Sequence, residues 1–167
     1  MAELTTQERL QPSLLDRLTD RARDALQEGR DERVMSAQRL RESVLRDIGW
    51  LLNAIHLEAC EDLSDFPEVA ASTVNYGIPD LSGMIVQGAD LPALQLAIRD
   101  AIARFEPRIS AGTLHVELEA QPDQMSRRTL SFRIEGEMWA QPMPLALYLK
   151  TEVDLENAQF RVAEQGG

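Results

Sequence analysis

The chain has 167 residues with 28 acidic and 17 basic side chains, a net charge of −11, and a composition that is 44% hydrophobic but only 5% aromatic. That acidic field repels phosphate backbones and anionic lipid headgroups, which argues against nucleic acid and membrane surfaces as partners. A chain this long buries roughly 70% of its unfolded surface and folds without metal or cofactor, and a lone Cys60 excludes an intrachain disulfide. The free thiol fits a reducing compartment. Nothing approaches the ~20 consecutive apolar residues of a membrane span, and residues 1–30 hold no signal-peptide run. A soluble, cytoplasmic protein with no membrane insertion is expected.

The first third reads as helix. Pro12, Ser13 and Asp16 make a helix start, with Ser13 as N-cap and Asp16 at the capping-box position. Leu14, Leu18, Ala22 and Ala25 or Leu26 form a narrow stripe up to Gly29, and 29–33 is a charged link. Ser36 caps a longer helix in which Leu40, Val44, Ile48, Leu51 and Ile55 recur at helical spacing, widened by Leu45, Trp50 and Leu52. Residues 62–88 hold few helical signals and much turn chemistry: Phe66-Pro67, Asn75-Tyr76-Gly77, Pro79-Asp80 and Ser82-Gly83. A third helix follows from an Asp90 N-cap, with Leu91, Leu94, Ile98, Ile102 and Phe105 facing one way until Pro107 stops it.

From Thr113 the period becomes two. Leu114, Val116 and Leu118 alternate with polar residues, as do Leu130, Phe132 and Ile134. Leu145, Leu147, Leu149, Thr151, Val153 and Leu155 share one parity, and Phe160 and Val162 begin a short last strand. The reading is an α+β fold: N-terminal helices, a third helix, then an antiparallel sheet of about four strands with one face buried. Residues 1–35 form a helical arm and link, 36–163 the main domain, and 164–167 a frayed tail.

Catalytic motifs are scarce. His56 and Cys60 are four apart on one predicted helix, which is two ligands and not a metal site. No Walker A loop or Gly-x-Ser-x-Gly elbow is present. Glycoside hydrolysis needs only two carboxylates, and Glu106 with Asp80 or Asp65 is the nominal pair, in a chain with few aromatics to stack a sugar. A peptidoglycan-cleaving muramidase is therefore the alternative reading.

Glu106 lies where the third helix ends, and a carboxylate there opposes the helix dipole by ~0.3–1 kcal/mol when exposed. Pro107 favours extension, so Glu106 and Arg108 are expected to project to one side as acceptor and donor fork. They fit a reciprocal ion pair with a partner, or they satisfy neighbours inside the subunit. Tyr76, in a turn that needs a positive φ at Gly77, offers a large amphipathic ring as an interface anchor. Gln159 and Arg161 lie on a short last strand whose edge can accept an added strand.

Five segments occur in order: Gln11-Pro12-Ser13-Leu14-Leu15-Asp16-Arg17-Leu18, Ser43-Val44-Leu45-Arg46-Asp47-Ile48-Gly49-Trp50-Leu51-Leu52-Asn53, Ser72-Thr73-Val74-Asn75-Tyr76-Gly77-Ile78-Pro79-Asp80-Leu81-Ser82-Gly83, Phe105-Glu106-Pro107-Arg108-Ile109 and Lys150-Thr151-Glu152-Val153-Asp154-Leu155-Glu156. Together they resemble the family of contractile-machine baseplate subunits that includes TssE of type VI secretion and phage tail wedge proteins, a family often labelled lysozyme-like. The resemblance implies a non-enzymatic structural subunit at the cytoplasmic face of the envelope. It would join wedge proteins TssF and TssG to the first ring of the TssB/TssC sheath. It also marks Glu106, Pro107 and Arg108 as the family motif.

Overall fold

The computed structural model describes residues 13–19, 36–81, 91–119, 129–139 and 144–165. Ser13 opens α1 (Leu14–Leu18): its hydroxyl accepts the Asp16 N–H at 3.3 Å and donates to the Asp16 carboxylate at 2.6 Å, the expected cap. The helix is shorter than its sequence suggests. Thr19 turns extended, and Leu14 and Leu18 are more than two-thirds exposed. The Ala22 to Leu26 part of the stripe and the link at 29–33 lie outside the described residues.

Ser36 accepts the Arg39 N–H and starts α2 (Ala37–Leu52), which buries Leu40, Val44, Ile48, Leu51 and Leu52. Two expectations fail at its C-terminal end. Asn53 caps the helix, so Ile55 leaves it, bridges Ile78 in parallel and stays exposed. Trp50 does not widen the core face. It lies one turn beyond Arg46, whose guanidinium sits 5.1 Å from the ring centroid, and it remains 53% exposed.

The segment read as turns contains helical pieces: 3-10 turns at Leu57–Ala59 and Thr73–Asn75, and α3 (Pro67–Ala70). Pro67 occupies the first turn, where its fixed φ helps and its missing N–H costs nothing, so Phe66-Pro67 initiates a helix rather than merely bending the chain. α4 (Leu91–Phe105) buries Leu94, Ile98, Ala101 and Ile102. Its Asp90 cap lies outside the described residues.

The sheet comprises β1 (His115–Glu119), β2 (Thr129–Met138), β3 (Leu145–Asp154) and β4 (Gln159–Glu164), antiparallel in the order β1-β2-β3-β4. Alternation puts one set of side chains inward. Phe132 pairs with Leu118 and Thr151, Ile134 with Val116 and Leu149, and this face packs against α2 and α4 as one core. Ser131, of outward parity, is nonetheless buried; its short side chain lies between Glu119 and Glu152 in the register. β4 reaches Glu164, and the Gln165 N–H donates to Tyr148 O at 2.9 Å, so pairing continues past the expected tail boundary. The architecture is α+β, as the sequence indicates.

Candidate functional site

The Glu-Pro-Arg segment is a turn, not an extended exit. Glu106 closes the last turn of α4 through Ile102 O, and its own carbonyl accepts the Ile109 N–H at 3.1 Å. Pro107 thus takes the second position of a β-turn, where its fixed φ is favoured. The segment then runs beside the end of β2: Trp139 N–H donates to Arg108 O at 2.8 Å, and Ile109 bridges Met138.

That turn folds the fork of Arg108 back onto its own neighbour. Arg108 Nε donates to Glu106 Oε1 at 2.6 Å, a terminal guanidinium nitrogen meets Oε2, and the Arg108 backbone N–H also reaches Oε1. The other donors cross to α2, to Ser43 Oγ at 3.0 Å and to Asp47 Oδ2 at 2.5 Å. The Glu106 side chain is 4% exposed and that of Arg108 23%. Burial works against the Arg108 cation, but the Glu106 and Asp47 carboxylates outweigh it and hold its pKa above the ordinary arginine value. Of the two alternatives for Glu106 and Arg108, the structure shows the pair inside the subunit, with Glu106 buried.

The network continues along α2. Arg46 bonds Asp47 Oδ1 and grips the Asp16 carboxylate of α1 at 2.6 and 3.3 Å. The Asp16 bond raises the Arg46 pKa despite partial desolvation, with Asp47 adding to the effect. Tyr76 packs edge-on against Phe105, with ring centroids 5.2 Å apart, and its hydroxyl donates to Asp47 O at 3.4 Å. Burial, and then the negative charges of Asp47 and Glu106, push its phenol pKa up. Tyr76 therefore borders the clasp, and the ring is half-buried rather than projecting.

Gly77 has the positive φ expected of it, +129°, and a Cβ there would lie 2.3 Å from Ala54 O. Asn75, buried beside it, accepts the Glu58 N–H and donates to Ala70 O, fixing the loop. His56 is not on a helix with Cys60. It caps the 3-10 turn by accepting the Ala59 N–H, and Cys60 is exposed. Among the described residues no cluster of His, Cys, Asp and Glu is arranged for a metal.

Gln159 and Arg161 lie far along the chain from the clasp, on β4, one of the two outer strands of the described sheet. Asn53 holds both peptide groups of Phe160 from outside the sheet, and Gln165 bonds inward to β3. By alternation Arg161 turns its N–H inward to Glu152, whereas Val162 and Glu164 turn theirs outward. A proline at Arg161 would consequently break the hairpin, not the edge. Beside this edge a groove of about 570 Å³ is lined by residues 52–55, 78–81 and 157–160; its one carboxylate is Asp80.

The Glu106–Arg108 clasp and its α2 partners fall within residues 38–143, which match the family model for baseplate wedge protein gp25. The chain belongs to that family. The match spans well over half of the chain and takes in α2 to β2, while α1, β3 and β4 lie beyond it. No curated protein matches. Membership gives the chain a structural role in a contractile baseplate. Sequence reasoning found the Glu-Pro-Arg motif and missed its α2 partners Ser43 and Asp47; the signal was polar residues four apart flanking an apolar stripe.

Proposed function

We propose that this baseplate protein is the TssE-type subunit of a type VI secretion system, cytoplasmic at the inner face of the envelope, which binds the wedge proteins TssF and TssG and templates the first TssB/TssC sheath ring. The observation that carries the reading is β4: a six-residue strand outermost in the described sheet, with Val162 and Glu164 backbone groups turned outward. Such an edge accepts an extended segment by strand addition, backbone bonds supplying affinity and flanking side chains register. Exposed Arg161 would meet the added strand from the solvent face, and Gln159 lies at the end of the edge. The exposed Pro107 at the rim of the clasp, with Tyr76 behind it, is offered to the wedge proteins.

The work is assembly without chemistry. A glycosidase acid must face its substrate, and both Glu106 oxygens face Arg108 donors in a buried site. Co-expression with TssF and TssG and affinity purification should recover a complex, and sheaths should form in cells. Failure to co-purify under gentle conditions refutes the wedge assignment. Clearing of peptidoglycan that is lost in Glu106→Gln refutes the non-enzymatic one.

A further inference from the structure

The side-chain amide of Asn53 carries a donor and an acceptor, and both meet the peptide groups of one residue. Oδ1 accepts the Phe160 N–H at 3.0 Å, and Nδ2 donates to Phe160 O at 3.0 Å. These are the two bonds that a residue of a neighbouring antiparallel strand makes with its opposite number. The amide thus stands where an added strand would place a peptide. It is held there firmly: Asn53 is the C-cap of α2, whose last residues Leu51 and Leu52 are buried, and Nδ2 also donates to Gly49 O at 2.7 Å. Of the outward-turned positions Phe160, Val162 and Glu164, the first is occupied from within the subunit.

An added strand needs such a marker. Sliding by two residues leaves every side chain on its original face, so facial pattern alone does not separate pairing at 162 and 164 from pairing at 160 and 162. At the first position of each register the helix-facing residue, Phe160 or Val162, is apolar and packed on the core, so the two differ only at the second, where Val162 stands against Glu164. A fixed amide on Phe160 separates them. We propose that Asn53 is the register stop of the β4 edge: an extended sheath segment pairs with Val162 and Glu164 and ends where Asn53 holds Phe160. The inference rests on the strand-addition reading above and adds a positioning residue to it.

The test places a photo-crosslinking amino acid at Gln159 or at Ala163, one at a time, in the full chain co-expressed with TssB and TssC. Both positions are exposed and lie on either side of the stop. With Asn53 present, crosslinks to sheath subunits are expected at 163 and not at 159. In Asn53→Ala, crosslinking at 159 should appear, a change of position that loss of stability alone does not produce. Where the alanine variant does not fold, Asn53→Asp serves. It keeps an acceptor for the Phe160 N–H and removes the donor to Phe160 O, and a gain at 159 is expected there too. Crosslinks at 159 in the unaltered chain, or a pattern unchanged by both variants, overturn the stop and leave strand addition standing. Absence of crosslinks at both positions in every variant defeats strand addition and the stop with it.

Discussion

Arg108→Ala tests whether the clasp is an internal staple. The substitution strips the buried Glu106 carboxylate of both side-chain donors, leaving it the Arg108 backbone N–H, and removes a partner from Ser43 and from Asp47. Breaking one half of a buried ion pair costs about 3–5 kcal/mol, because the remaining charge stays desolvated. For a domain of this size roughly 2–4 °C of Tm accompanies each kcal/mol, so the melting point should fall by roughly 6–20 °C. Urea unfolding followed by circular dichroism gives the free energy directly, with an unchanged slope if the same surface is exposed. The control is Arg99→Ala, which breaks an exposed pair with Asp100 of the kind worth about 0–1 kcal/mol. A loss for Arg108→Ala no larger than the control's refutes the reasoning. The structure makes instability primary, so the variant should still co-purify with its partners at temperatures where it remains folded. Replacing both charges, as in Glu106→Leu with Arg108→Met, should cost less than Arg108→Ala alone, since no unpaired Glu106 is left.

Gly77→Ala should destabilise by about 1–3 kcal/mol from the backbone region alone, and further from the clash with Ala54 O, which denaturant titration measures. Tyr76→Phe addresses pH. The raised phenol pKa means that its share of stability is intact below the ordinary value near 10 and is lost as pH climbs through the folded value. Unfolding free energies between about pH 9 and 11 should fall less steeply in Tyr76→Phe than in the parent, and identical slopes would contradict the assignment.

The regular parts of the fold were legible because one periodicity ruled each of them. Leu40, Val44 and Ile48 are buried at helical spacing, and Leu147, Leu149, Thr151 and Val153 at strand spacing. Ends and polar contacts were less legible. Ile55 continues the α2 stripe by count, yet the Asn53 cap ends the helix before it and the bridge to Ile78, more than twenty positions on, takes it elsewhere. The clasp was half legible. Glu106-Pro107-Arg108 marks a helix exit, but whether the fork turns outward or back is decided by Ser43 and Asp47, over sixty residues earlier. A local motif fixes which groups are present; the packing of α2 against α4 fixes whom they meet.

The two candidate surfaces share one helix. α2 supplies Ser43, Arg46 and Asp47, which draw the α4 exit and α1 onto its flank, and its C-cap Asn53 reaches round to the outer side of β4. Another face is the core, with Val44 and Ile48 fully buried. An edge strand that must accept another chain gains nothing from side-chain pattern if it can shift relative to the body carrying it, and β4 has only β3 beside it in the described sheet. Anchoring β4 to α2 through Phe160 supplies that constraint, and anchoring α2 to α4 and the end of β2 through Arg108 ties it to the rest of the domain. Under the proposed strand addition, the Glu-Pro-Arg segment acts by making the edge-bearing helix rigid, and a buried Glu106–Arg108 pair at the helix crossing suits that role better than a pair spent on a partner.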